Sequence, residues 1–554
     1  MILDIMIKIN MIKNRLLNNS RKTIKVVCDI FRKGISLSVG SSINYFPKIS
    51  IYIFLILILL LSYLYNYHEI LFLRPQGIHQ WRQCDCLSIT MNYYQDNNPF
   101  LEPSLHFLGR DGTGKSASDF PLVYYFVAKL WKIFGHHEFI FRLVNLLIFF
   151  IGLLAMMKFF EDLLKNTVWA ILGGLTLLTS PTIIFYANNF LADVPALGLS
   201  MIAWYIFWLF YKTGKPGYFW CSSGIFALGG LLKITSAISF VAVFILFLGE
   251  ISGILKLKNN DKTFARPLLQ IIPFLIVTGI LVTWYVYVDN YNKTHNHGLF
   301  LVGILPIWDL DTNQINDIFQ GFREQITRSY FHRSMHIFLF ISFVLILVSY
   351  KKATRWLYVL TVIISTGILF FLLLFFRPLK QHDYYVINLF IHVPVILVTF
   401  MDLLRKEYPV VFRSLIFQIV FVALIIYNIS FANEKMKERY SGWMNENYQA
   451  YMYRFENITP YLRTIDIMPD DKVLCLPDGS INISLYFMNQ KGWTNYSTDL
   501  DSSKIMGKIN QGADYLFIYI DTLYNNKNIT PFIKHKIGEY NDIDIYDISG
   551  FRDE

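Results

Sequence analysis

The sequence predicts a polytopic α-helical membrane protein with a small C-terminal α/β extracytoplasmic domain. Three observations predict it. Of 554 residues, 54% are hydrophobic and only 16% charged, whereas soluble chains carry about 25% charged residues. Uncharged apolar runs close to the length of a bilayer crossing recur between residues 49 and 431. Beyond residue 433 the charge density rises and no run of that length remains.

The formal charge of +10 does not point to nucleic acid. The basic clusters fall between hydrophobic runs, as in cytoplasmic loops of membrane proteins, and lack the interleaved aromatic pattern of a nucleic-acid module. Cys28, Cys84, Cys86, Cys221 and Cys475 are odd in number and lack zinc-site spacing, so neither a disulfide framework nor a cysteine metal centre is expected. Cys84 and Cys86 read as small side chains packed around Asp85.

Residues 1–48, basic and without the small-residue cleavage site of a secretory signal, are expected to be a cytoplasmic arm. The segment 49–432 is read as the membrane domain. Its first crossing is 49–67, followed by a long loop over 69–137. The next crossings are 138–160, 167–186, 190–211, 217–234, 236–253, 268–288, 336–350, 355–376, 384–402 and 411–431. That makes about eleven spans. With the N-terminus inside, the short loops bearing Lys165, Lys212/Lys215, Lys256/Lys258/Lys262/Arg266, Lys351/Lys352/Arg355 and Arg405/Lys406 all return to the cytoplasm, as positive charge requires. The loop 69–137, the turns near 188–193, 233–235 and 377–385, the loop 289–335 and the C-terminal part then share the outer aqueous face.

Residues 433–554 are expected to be a soluble domain. KVLCLP and DYLFIYI read as strands, INISLYFMN and SSKIMGKIN as helical segments, and GEYNDIDIYDI as a hairpin turning at Asn541-Asp542.

The stretch GIHQWRQCDCLSITMNYYQ, from Gly77 to Gln95, holds His79, Trp81, Arg82 and Asp85 in one short segment beside a membrane. No apolar core needs that mixture. A plain reading has Asp85 cap a helix starting near Leu87, but a cap needs no Arg82 or His79 beside it. Asp119 and Asp193 each lie close before a proline at an expected helix start, where capping competes with a role in the site. Lys233 ends an apolar helix, either snorkelling to the interface or marking a substrate path. Arg377, Lys380, His382, Asp383 and Tyr384 form a dense polar turn, suited to an anionic headgroup or to interfacial anchoring. GRDGTGKSAS imitates a phosphate loop, but no strand precedes Lys115 and ATP is not expected in an outer loop; a flexible segment that moves over the substrate is the better reading.

In order along the chain, WRQCDCLSITMNYYQ, SDFPLVYYFVAKLWKIFGHHEFIFRLVNLL, FLADVPALGL, LLKITSAI and RPLKQHDYYVINLF resemble the GT-C superfamily of polyprenyl-phosphate-sugar-dependent glycosyltransferases. The resemblance is to the lipid A aminoarabinose transferase and protein O-mannosyltransferase group, over roughly residues 50–400. Two departures leave the donor sugar open. Asp85 is followed by Cys86 where the group has an Asp-Glu pair, and Asp119-Phe120-Pro121 stands where the aminoarabinose enzymes have Lys-Pro-Pro.

The resemblance implies a sugar donor linked through phosphate to a polyprenol, and a lipid, glycan or protein acceptor at the outer face of a bacterial cytoplasmic membrane. Phosphate leaves without protonation, so charge stabilisation matters more than an acid. The acceptor hydroxyl needs a base, and the matching position makes Asp85 that base in an inverting displacement. Arg82 either binds donor phosphate or orients Asp85. His79, Asp119, Asp193, Lys233, Arg377, His382, Asp383 and Tyr384 are expected to bind substrate. Asp119 and Asp193 orient the acceptor or, with Asp85, hold Mg²⁺ or Mn²⁺. The competing class is a lipid or solute transporter, but transporters place ionisable groups at mid-membrane within repeated, broken helices. Here those groups gather in outer loops.

Overall fold

The computed structural model describes residues 45–258, 261–295, 299–300 and 303–552. Most of the basic arm expected over 1–48, with Cys28, lies outside the described residues. Among the described residues seven helices are long and apolar enough to cross a bilayer, or nine if each of two bent pairs is one span. The protein is a multi-pass membrane protein. The two remaining expected crossings fall on Ser50–Leu64, of 15 residues, and Pro216–Leu232, of 17 residues.

The bent pairs depart from the expected straight spans. The segment expected over 167–186 breaks by 81° between Thr167–Thr179 and Pro181–Ala187. Pro181 cannot donate to the preceding turn, and Ser180 caps the new helix through its hydroxyl. The second pair bends by 102° between Thr312–Tyr330 and Arg333–Val348. Its first half begins with the helix Thr312–Gln325, where a loop was expected; Asp311 and Gln314 form a capping box at its start.

Close packing inside the bundle depends on small residues. Helices Glu138–Leu164 and Asp193–Thr213 touch at Gly152 and Gly198, where a Cβ on Gly152 would stand 2.6 Å from the Gly198 carbonyl oxygen. Gly152→Leu is therefore expected to lower stability by about 1–3 kcal/mol through overpacking, read as a fall in the thermal midpoint in detergent. Two buried polar residues of the first helix fasten loops above it. Arg142 Nη1 donates to the Leu71 and Leu73 carbonyls, and Asn145 Nδ2 donates to those of Asn189 and Leu191.

The helix Leu415–Ser441 carries the chain across residue 433 into the C-terminal part. There β1 (Lys472–Leu476), β2 (Lys491–Thr494), β3 (Ala513–Ile518), β4 (Lys536–Tyr540) and β5 (Ile543–Asp547) form one sheet in the order β2-β1-β3-β5-β4. β1 is parallel to β2 and β3, and β5 is antiparallel to β3 and β4. Helices Ile483–Met488 and Ser502–Asn510 and the Asn541–Asp542 turn, both residues at positive φ, stand where the sequence placed them. The four-residue β2 was not foreseen.

The first loop is fastened to this sheet. Phe107 pairs with Gly492 of β2 as an added edge, Leu108 N donates to the Gly492 carbonyl at 2.8 Å, and Trp493 Nε1 donates to the Gly109 carbonyl at 2.7 Å. Lys115, expected on a mobile covering loop, instead pairs with Glu102 at 2.8 Å beside a Ser104–Lys115 bridge.

Candidate active site

The site begins at a turn that only some residues can make. Gly77 has φ +79°, and a Cβ there would stand 2.7 Å from the Arg439 carbonyl oxygen. Its N–H donates to Asn445 Oδ1 at 2.7 Å. His79, also left-handed at φ 57°, ends the turn and starts the helix Gln80–Gln95. That helix begins seven residues before the expected start near Leu87. Asp85 is thus well inside it and cannot be its cap. Arg82 and Asp85, three apart, share one face, with Arg82 Nη1 3.9 Å from Asp85 Oδ2. Cys84 and Cys86 are buried beside the acid.

Three further elements close on that face. Arg82 Nη2 lies 2.7 Å from Asp119 Oδ2. Lys233 Nζ lies 3.6 Å from Asp119 Oδ1 and 3.4 Å from Asp193 Oδ1. Neither Asp119 nor Asp193 caps the helix beside it; no side-chain cap bond forms at Leu122–Phe134 or Asp193–Thr213. Lys233 does not snorkel, since its side chain is only 12% exposed and its ammonium faces the Tyr384 and Tyr385 rings. Burial opposes charge at both Asp119 and Lys233. Their mutual attraction outweighs it, with Arg82 adding to the hold on Asp119, so the Asp119 carboxyl sits below its ordinary range and the Lys233 ammonium above.

These groups line a cavity of about 500 Å³. His79, Arg82, Asp85, Asp119, Lys233, His382 and Tyr384 are all on its wall, and Tyr285, Phe300, Phe371 and Phe375 form an apolar flank. Arg82 Nη1 and His382 Nδ1 are buried without a hydrogen bond among the described residues, and His79 Nε2 lies 3.5 Å from Asp383 Oδ1. Three expected site residues are not on the wall. Asp193 stands behind Lys233. Asp383 is 1% exposed and turned toward Arg439, whose Nη2 is 2.6 Å from its Oδ2, while Tyr186 donates to its Oδ1 at 2.6 Å. Arg377 is exposed on the turn Arg377–Lys380.

The C-terminal part reaches the centre of the site. Asn482 Nδ2 donates to Asp85 Oδ1 at 2.8 Å, and Asn482 Oδ1 accepts from Phe107 N at 2.9 Å. Burial pushes the Asp85 carboxyl up to about 6, with Arg82 and then the Asn482 amide opposing that rise. A reaction that needs ionised Asp85 should therefore quicken as pH rises through about 6 and level off above. Asn482→Ala removes a contact that favours the ionised form, so the midpoint of that limb is expected at higher pH in the rate profile. An unmoved midpoint would detach Asn482 from Asp85.

A family model described as dolichyl-phosphate-mannose-protein mannosyltransferase matches residues 117–284. No curated protein matches the chain. Among solved structures, ArnT from Cupriavidus metallidurans in the apo state aligns at TM-score 0.57 and 10% identity over 90% of this chain and 98% of that one. The same protein bound to undecaprenyl phosphate aligns at TM-score 0.55 and 10% identity over 88% and 97%. The arabinofuranosyltransferase AftD from Mycobacteria aligns at 0.52 and 12% identity over 89% of this chain and 40% of its own. All are GT-C proteins. This chain has the GT-C fold.

The matched family stretch contains Asp119, Asp193 and Lys233, whereas Arg82 and Asp85 precede it. Among the described residues no group of three or more His, Cys, Asp or Glu has the geometry to hold a metal ion. The carboxylates raised as cation ligands, Asp85, Asp119 and Asp193, are instead interleaved with Arg82 and Lys233. Two residues of the candidate site carry weaker marks in the sequence. Arg439 was detectable, because it continues the buried stripe Gln418, Phe421, Ile425, Asn428, Ala432 and Met436 of its helix. Asn482 carried no local sign, since its partner lies 397 residues away.

Proposed function

We propose that this GT-C-fold protein is a membrane glycosyltransferase that moves a sugar from a polyprenyl-phosphate donor to an acceptor hydroxyl. The observation that carries the proposal is the shared wall of one cavity: a buried carboxylate, two cations, and an aromatic flank supplied partly by bilayer-length helices. In the proposed reaction the Asp85 carboxylate takes the acceptor proton as its oxygen bonds to the anomeric carbon. The bond from that carbon to phosphate oxygen breaks, and configuration inverts. The electron pair of that bond goes to the phosphate oxygen, so the departing polyprenyl phosphate gains a negative charge, which Arg82 and Lys233 on the cavity wall stabilise.

The other wall residues have supporting parts. Asp119 sets the direction of both cations, and Asp193 supports Lys233 from behind. His79, His382 and Tyr384 offer polar contacts to the sugar. Tyr285, Phe300, Phe371 and Phe375 suit the first isoprene units of a lipid-linked donor. The fold shared with ArnT bound to undecaprenyl phosphate supports a donor of that class. Basic loops opposite the site favour an outer-face location on the cytoplasmic membrane.

The test uses the purified chain in lipid nanodiscs with a panel of radiolabelled polyprenyl-phosphate sugars and an envelope extract as acceptor source. Label passing from lipid to an acceptor is expected for at least one donor. Turnover of none, together with unchanged envelope glycans in cells lacking the protein, would end the proposal.

A further inference from the structure

A second cavity, of about 630 Å³, shares His79 and Trp81 with the first, so the start of the helix Gln80–Gln95 is a wall common to both. Its position follows from sheet topology. In the order β2-β1-β3 the chain leaves β1 toward β2 and returns on the other side of β1 as β3. Open sheets bind ligands in the crevice outside the carboxyl ends of parallel strands at such a switch. Pro477 to Ser480 follow β1, Tyr519 and Ile520 follow β3, and both pieces line the second cavity.

The chemistry of the wall narrows the ligand. Trp443, Tyr448, Tyr451 and Tyr519 present aromatic surface to it, and Trp443 is 63% exposed despite its size. Large exposed rings at a concave surface mark binding sites. No lysine or arginine lines this cavity, in contrast to the first. Its one carboxylate, Asp478, is buried and already accepts from Ser480 N, Ser484 N and Ser484 Oγ at 2.8, 2.9 and 2.6 Å. An anionic ligand would meet that carboxylate with no cation to offset it. Rings with apolar faces and polar edges, beside Asn447 and Ser480, match a molecule whose C–H faces are apolar and whose rim is hydroxylated.

We infer that the second cavity binds a neutral saccharide, and that this saccharide is the acceptor. The word acceptor rests on the transferase reading; the binding site does not. Entering at the switch between β1 and β3, the saccharide lies across the His79–Trp81 wall from Asp85, so one hydroxyl extended past Trp81 meets the donor cavity.

The full chain in nanodiscs, without donor, is applied to an array of neutral and acidic oligosaccharides, and hits are titrated by tryptophan fluorescence. Neutral oligosaccharides should be retained, and Trp443→Ala should weaken their binding about tenfold or more. Tyr451→Ala, at a second exposed ring, should act in the same direction. Retention of acidic saccharides alone, binding only to sugar-free lipid vesicles, no retention, or unchanged affinity in both variants would overturn the inference. Because no transfer is measured, failure of the transferase reading appears in the turnover assay and leaves this result separately readable.

Discussion

Asp383→Ala is expected to destabilise the protein by about 3–5 kcal/mol, because it leaves a buried guanidinium without its partner. Arg439 and Asp383 are each 1% exposed and 2.6 Å apart. Their removal from water is tolerable only while they face each other. The Arg439 guanidinium also lies over the Phe185 ring at 4.7 Å, and its backbone carbonyl packs against Gly77, so the pair sets the turn that delivers His79. Thermal unfolding in detergent reads the loss. Asp383→Leu combined with Arg439→Met should recover much of it, since an apolar pair of similar volume avoids the desolvation cost. An Asp383→Ala chain as stable as the unaltered one but unable to bind donor would instead make Asp383 a substrate contact.

What was legible in the sequence was set by composition along one dimension. A membrane helix satisfies its backbone internally and faces lipid, so apolar runs alone located the seven bilayer-length helices among the described residues. The strands β1, β3 and the β4–β5 hairpin were legible for the same local reason, through apolar runs and turn residues. The break at Pro181 and the helix after Asp311 also carry local marks, a Ser-Pro pair and a capping box, which a reading by span length does not register. Arg82 and Asp85 stood out because charge at a membrane edge is costly without a use.

The rest depended on docking. Nothing near Asn482 announces Asp85, and nothing near Phe107 announces the edge of β2. These contacts exist because the C-terminal sheet folds back on the first loop. Asp383 and Arg377 sat in the same dense polar turn, yet one faces Arg439 in the interior and the other faces out. Direction of a side chain within a short 3₁₀ turn follows from tertiary packing, and composition carries no record of it.

Asp85→Asn should lower transfer by about 10²–10⁴-fold while leaving the fold and donor binding in place. The amide keeps the shape of the carboxylate and an acceptor for Asn482, but it cannot take a proton from the acceptor hydroxyl. The pH limb near 6 expected of the unaltered chain should be missing from whatever rate remains. The measurement is turnover of a radiolabelled polyprenyl-phosphate sugar by this variant across pH, alongside its thermal midpoint and donor affinity. The account predicts a folded protein that binds donor and transfers almost nothing. Transfer within a few-fold of the unaltered rate, with the pH limb intact, would contradict it.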